Sequence, residues 1–316
     1  MDGFLLIDKP EGCTSREVCS RVGRALGVRT GRRGTRIGHA GTLDPFATGL
    51  LIVAVGRATR LLQRMVGHDK RYLVGVQLGL ASSTDDITGE LAPAPVQIPP
   101  GAALDTALRS VVDEVASRTN QIPPAVSAIH IDGTRAWQRV RAGEVVDMPP
   151  REVQFHSVEL IDLEDREHGP FVTLNVHCSS GTYMRSLARD IGHELGGSGV
   201  AATLRRVESG GMHVDDACSI DDVKADMLRP MIAMVPDLAR VAVTDDQALL
   251  LSHGRPVPCG EQFVEHREVA LVRGADQLLA IGRIDVTPDG CVARPETVFV
   301  RPDELTMTDQ SVVVST

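Results

Sequence analysis

Short apolar blocks separated by Gly- and Pro-bearing turns set the rhythm of this chain. Phe4 to Ile7 is an apolar run that stops at Asp8-Lys9-Pro10-Glu11-Gly12, whose Pro and Gly predict a turn. Thr14-Ser15-Arg16-Glu17 has capping-box spacing, and Val18, Val22, Ala25 and Leu26 follow at helical intervals, so a helix is expected from Ser15 to Leu26. Gly27 to Gly41 is too rich in Gly and Arg to form a core element and leads, as a loop, into Thr42-Leu43-Asp44-Pro45. Leu50 to Val55 reads as a fully apolar strand. Tyr72, Val74, Val76 and Leu78 alternate with Arg71, Leu73, Gly75 and Gln77 as a half-buried strand would.

Four prolines within Leu91 to Gly101 predict a surface linker, and Ala102 to Arg118 a helix. Phe171 to Cys178 alternates as a strand and ends at Ser179-Ser180-Gly181. Tyr183, Leu187, Ile191 and Leu195 then recur every four residues, which predicts a helix from about Thr182 to Gly196. Beyond Val241 the pattern turns to short strands, Val269 to Val272, Leu278 to Ile284 and Val298 to Arg301, with a Pro288-Asp289-Gly290 turn between the last two. The expected organisation is a first domain over 1–240, a small β module over 241–301 near the lower size limit for independent folding, and a disordered tail over 302–316.

The 316 residues are 42% apolar, and no window approaches the ~20 apolar residues of a spanning helix. Met1-Asp2-Gly3-Phe4 lacks the basic region and apolar run of a signal peptide, so the expected location is cytoplasmic, with no membrane partner. Six scattered cysteines show no C-x-x-C pair or neighbouring H-x-x-x-H. They read as free packing thiols, and no metal site is expected.

The formal net charge of -9 conceals a polarity along the chain. Residues 1–72 hold 13 Lys and Arg against 6 Asp and Glu, while the remainder holds 20 against 36. No acid interrupts the stretch between Glu17 and Asp44, which carries Arg21, Arg24, Arg29, Arg32, Arg33 and Arg36. A local field of this sign attracts polyanions even on an acidic protein, although composition alone does not separate such a face from a solvated basic loop.

Gly38-His39-Ala40-Gly41-Thr42-Leu43-Asp44-Pro45-Phe46-Ala47-Thr48-Gly49-Leu50 is the most informative stretch. Its glycines permit close backbone approach to a ligand. Asp44-Pro45 equally matches a helix N-cap followed by a first helical position, and His39 equally reads as a hydrogen-bonded loop residue. Both tyrosines of the chain flank cations: Lys70-Arg71-Tyr72 opens a strand, and Gly181-Thr182-Tyr183-Met184-Arg185 opens a helix. Aromatics beside cations suit a pocket that stacks a base and grips its phosphates, while the Tyr183 spacing also suits core packing.

With these motifs in order, the chain closely resembles the bacterial tRNA pseudouridine synthases of the TruB family. The resemblance runs from Leu6 to about Arg301, through Asp8 to Gly12, Gly38 to Leu51, Lys70 to Tyr72, Pro123 to Gly133, His177 to Arg189 and Leu204-Arg205-Arg206. It implies an α+β fold: a mixed, largely antiparallel sheet with flanking helices, the pseudouridine synthase fold, plus a small PUA-like β module at the C-terminal end. It also implies isomerisation of uridine-55 in the T loop of tRNA by base flipping, with no cofactor, no metal and no obligate protein partner. Asp44 would be the catalytic carboxylate, Arg185 its guanidinium partner and Tyr72 the ring that stacks on uracil and accepts the C5 proton. His39 would fill the place left by the flipped nucleotide, and Tyr183 and Leu204 would complete the walls. Lys9, Arg32, Arg33, Lys70 and Arg71 would contact phosphates. The chain departs from the family pattern at Val126, His130 and Trp137, which bear on substrate grip rather than reaction type. Two competing readings are a nucleoside or glycoside hydrolase with Asp44 as nucleophile, and an RNA-binding or folding protein in which catalysis is lost or secondary.

Overall fold

The computed structural model describes residues 1–31, 34–98, 101–288 and 290–305. Strand β1 (Gly3–Lys9) is followed by helix α1 (Ser15–Ala25), whose Thr14 cap and Glu17 exchange the two hydrogen bonds of the capping box. Strands β2 (Ile37–Ala40), β3 (Thr48–Val55) and β4 (Lys70–Leu78) come next, then helix α2 (Ala102–Ala116). A long hairpin of β5 (Phe155–Arg166) and β6 (Gly169–Cys178) leads to helix α3 (Met184–Glu194) and strand β7 (Gly199–Ser209).

These strands form one sheet in the order β5-β6-β4-β7-β3-β1, with Cys218–Ser219 at the far edge and β2 paired to β3. Two pairings are parallel, β7 with β3 and β1 with Cys218–Ser219; the others along this order are antiparallel. The fold is therefore mixed and largely antiparallel. Alternation along β1 explains the layering. Leu5 and Ile7 pack with Val18 and Val22 of α1, while Phe4 and Leu6 join Leu50 and Ile52 on the opposite face. Helices α2 and α3 cover the other half of the sheet through Leu104, Leu108, Leu187 and Ile191. Each such fully buried side chain contributes about 1.5–3 kcal/mol.

The C-terminal segment builds a separate five-stranded sheet from β8 (Ala239–Ala242), β9 (Val257–Pro258), β10 (Glu268–Arg273), β11 (Gln277–Thr287) and β12 (Gly290–Val298), in the order β8-β10-β11-β12-β9. Ala270, Val272, Leu278 and Ile281 of this module share a core with Phe4, Leu6 and Ile52, so it is seated on the main sheet. The third strand of this region occupies Gly290–Val298, ahead of the expected Val298 to Arg301. Its Arg294, Pro295 and Glu296 mask the alternation, and the sheet supplies the order that local pattern lacks. The expected disordered tail is corrected at its start, where Pro302–Leu305 forms a helical turn and Glu304 accepts from Arg57 at 2.6 Å.

Leu91–Pro93 likewise pairs with Leu80–Ser82 instead of running free as a linker. Among the sequence-based expectations, Arg32, Arg33, Pro99, Pro100, Asp289 and the tail beyond Leu305 lie outside the described residues.

Candidate active site

The Asp44 loop connects β2 to β3 and is clamped from below. Ser15, the first residue of α1, donates from its hydroxyl to the Leu43 carbonyl at 3.0 Å and accepts from the Leu43 N–H at 2.9 Å. Lys9, at the end of β1, has no exposed surface, and its ammonium donates to the carbonyls of Pro10 (2.9 Å), Pro45 (3.2 Å) and Ala47 (2.5 Å). The Ala47 N–H closes a turn onto the Asp44 carbonyl at 3.1 Å, and no helix follows Pro45. Asp44 is thus no N-cap, and its carboxylate is free to face the cleft. Gly41, at φ +79°, lets the chain pass Arg206 closely; a β-carbon there would stand 3.2 Å from its guanidinium.

Arg185 comes from the first turn of α3 and reaches the same point. Its Nε lies 2.9 Å from Asp44 Oδ2, off the N–H axis, and Nη2 donates to Asp44 Oδ1 at 3.4 Å. The Arg185 side chain is 6% exposed and that of Asp44 32%, so the pair is anchored on the protein side and open on the carboxylate side. The remaining Arg185 donors go to the carbonyls of Thr84 (2.9 Å) and Val126 (3.0 Å), and Nη1 lies 3.5 Å from Asp86 Oδ2. Asp86 is itself held by Thr84 Oγ1 at 2.8 Å and by the Thr88 N–H and hydroxyl at 2.9 and 2.5 Å.

The Asp44 carboxyl sits above its ordinary pKa. Desolvation by surrounding protein raises it, Arg185 opposes that rise, and the Asp86 carboxylate adds to it. Arg185 pulls the carboxyl down as a guanidinium partner should, but offsets only part of a larger upward push.

Tyr72 (β4) and Leu204 (β7) are buried in one cluster with Leu43, Phe46 and Ala47, and the acidity of Tyr72 responds to the Asp44 charge. Burial pushes the Tyr72 phenol up, against the pull of the facing Arg206 guanidinium, so it is protonated at neutral pH. Tyr183 precedes α3 and lies within the field of both Arg185 and Asp44, with its phenol also raised by burial. Its backbone is gripped by the Gln121 amide, which accepts from the Tyr183 N–H at 2.9 Å and donates to its carbonyl at 3.0 Å. His39 stands on β2; burial first and Arg206 second keep its imidazole below the ordinary value, in the neutral form.

The basic residues separate into two groups. Lys9 and Lys70 are buried and satisfied internally, Lys70 by the carbonyls of Val66 (2.9 Å) and His68 (2.5 Å), so neither ammonium is available to a phosphate. That corrects their assignment as phosphate contacts: an ammonium buried this deeply is held by protein carbonyls instead of by solvent or RNA. Arg71 is partly exposed and lies 3.5 Å from Glu208. Sequence reasoning missed Asp86 and Gln121, because neither stands in a motif with a distinctive spacing. Of the departures from the family pattern, Val126 meets Arg185 through its carbonyl, a contact independent of its side chain.

Comparison with known proteins bears on this arrangement. The TruB family pseudouridylate synthase (N terminal domain) matches residues 29–184. A tRNA pseudouridine synthase B of Cutibacterium acnes is 39% identical over 91% of this chain and 95% of its own length, and one of Leifsonia xyli is 41% identical over 80% and 82%. The chain belongs to the TruB family of pseudouridylate synthases. Among solved structures, a Cbf5-Nop10-Gar1 complex contains a chain similar to this one at a TM-score of 0.65 and 24% identity, covering 96% of this chain and 86% of that one. A second, an H/ACA RNP bound to a substrate RNA containing 2'-deoxyuridine, matches at 0.66 and 23% over 95% and 86%. These likenesses carry the pseudouridine synthase fold, which the sheet and helices of this TruB-family chain display. None of its described helices is long and apolar enough to cross a membrane.

Proposed function

We propose that the protein isomerises uridine-55 in the T loop of tRNA to pseudouridine, acting in the cytoplasm with the uridine flipped out of its stack. The observation that carries this reading is the Asp44–Arg185 pair, closed towards the protein and open towards the cleft. Isomerisation breaks the C1'–N1 bond, turns the retained uracil, joins C5 to C1' and releases the C5 proton. Nothing is oxidised or reduced, and no atom is gained. Asp44 must be ionised, either to attack C1' or to take a proton from C2', and Arg185 supplies the charge that keeps a crowded carboxylate ionised.

The walls follow from the same cluster. Tyr72 offers its ring to the extruded uracil beside Leu204, Tyr183 would complete the wall from the start of α3, and His39, on β2 against β3, would meet the RNA loop. The Tyr72 phenol takes the C5 proton only after passing its own to solvent; burial opposes that loss, and the Arg206 guanidinium facing it offsets part of the opposition. Extrusion costs a few kcal/mol of stacking, which contacts to ring and phosphate offset. Arg71, partly exposed and only loosely engaged by Glu208, would contact phosphate by resemblance, as would the arginines at 32 and 33.

The test is to map pseudouridine in tRNA after incubation with the purified protein, expecting product at position 55 of the T loop. Product elsewhere would keep the chemistry and overturn the specificity. Release of free uracil would instead favour a hydrolase. That alternative needs a second carboxylate about 5–10 Å from the first. Asp86 is near, but it is 4% exposed and committed to Thr84, Thr88 and Arg185, which leaves it poorly placed to activate water.

A further inference from the structure

Behind the cleft, three side chains from three separate segments converge in an arrangement that no sequence spacing announces. Asp69 immediately precedes β4, His156 lies in β5 and His177 in β6. Their ligating atoms all lie within 4.8 Å of one another. His156 Nε2 is 3.0 Å from Asp69 Oδ2, and the two imidazole rings meet at 4.7 Å with an interplanar angle of 50°. One ring nitrogen of each histidine and a carboxylate oxygen of Asp69 thus share one small volume.

The sheet holds this arrangement in place. The β5–β6 register slips between Phe155 and Ser157, so His156 is the extra residue of a bulge that brings it beside His177. His177 pairs directly with Arg71 of β4, which places both side chains on the face opposite Lys70 and Tyr72. The Asp69 backbone is fixed by the Gly210 N–H, which donates to its carbonyl at 3.1 Å. Arg71, paired across the strands with His177, is already engaged with Glu208, which lessens its repulsion of an incoming positive ion.

We propose that Asp69, His156 and His177 bind a divalent cation of the zinc class, with three protein ligands and a fourth position left to water. Two neutral imidazoles and a carboxylate are a ligand set that zinc accepts, at metal–ligand distances of about 2.0–2.2 Å. Tetrahedral coordination would bring the ligand atoms to about 3.3 Å from one another, and small rotations of the partly exposed side chains supply the remaining approach. The site is separate from the reaction: Asp44 and Tyr72 lie across the sheet, and the isomerisation has no step for the metal. A bound cation would fasten the β5–β6 hairpin to the start of β4.

The experiment uses the full chain with any affinity tag removed and metal stripped by chelation. Cobalt(II) is titrated and followed by its visible d–d absorption, and zinc is titrated by calorimetry. The expected result is one equivalent bound at micromolar affinity, weakened at least tenfold in Asp69→Asn and abolished in the double variant His156→Ala/His177→Ala. Thermal melts in chelator verify that the variants are folded, and zinc should raise the melting temperature of the parent protein and leave that of the double variant unchanged. Absence of a cobalt spectrum in the parent, or undiminished affinity in the folded double variant, overturns the proposal and leaves only the His156–Asp69 contact.

Discussion

Lys9 and Asp44 are joined through backbone rather than through a salt bridge: the buried Lys9 ammonium donates to the carbonyls of Pro45 and Ala47, the two residues that shape the turn presenting the carboxylate. A cation that sequence reading assigns to the RNA is spent on holding the reactive loop.

Lys9→Met should therefore impair the reaction by loosening the loop. Buried carbonyls left without a donor cost about 1–3 kcal/mol, and urea unfolding should register a loss of that order. tRNA affinity should change less than turnover, as measured by filter binding beside tritium release from C5-labelled uridine. Weakened tRNA binding with normal turnover would return Lys9 to the phosphate-contact group.

Asp44→Asn removes the charge and keeps the shape. Turnover should fall by at least about a thousandfold while tRNA binding survives. Normal tritium release from this variant would remove Asp44 from the chemistry.

Arg185 sets the acidic limb of the pH profile. Activity requires ionised Asp44, whose pKa is raised above its ordinary value by burial and by Asp86 against the opposing pull of Arg185. With Arg185→Ala the opposing pull is lost, the pKa climbs further, and the half-maximal point of the acidic limb moves to higher pH. An unmoved limb would show that the guanidinium does not control the carboxylate.

Lys70 carries a stability signature. Burial first and Arg206 second pull its ammonium down to about 8 from an ordinary 10.5. Between those values the unfolded chain binds more protons at this site than the folded one, so this contribution to stability rises with pH from about 8 to 10.5. The stability difference between the parent and Lys70→Met should grow across that window in urea melts. A pH-independent difference would mean that the ammonium is not desolvated.

Arg71→Ala should weaken tRNA binding and reduce the slope of log affinity against log salt by about 1. An unchanged slope would leave the residue to its ion pair with Glu208.

Local pattern was sufficient for elements whose information is local. The capping box at Thr14 and Glu17, the apolar run of β3 and the alternation opening β4 depend on neighbours in sequence, and each lies where its spacing placed it. The long strand β5 escaped notice because one of its faces is polar and solvent-exposed, and β12 because of Arg294, Pro295 and Glu296.

The candidate site divides in the same way. Ordered motifs named Asp44, Tyr72 and Arg185, residues that stand far apart along the chain, and the fold brings them into one cluster. What sequence alone determined was the family and, through that resemblance, which side chains and which class of RNA chemistry to expect. Tertiary structure decided which cations stay exposed and which are consumed inside, and set Asp86 against Arg185 and Gln121 against the Tyr183 backbone. It also raised the Asp44 pKa and assembled Asp69, His156 and His177. Burial and long-range contact set those properties, and both arise only when segments distant in sequence are folded against one another.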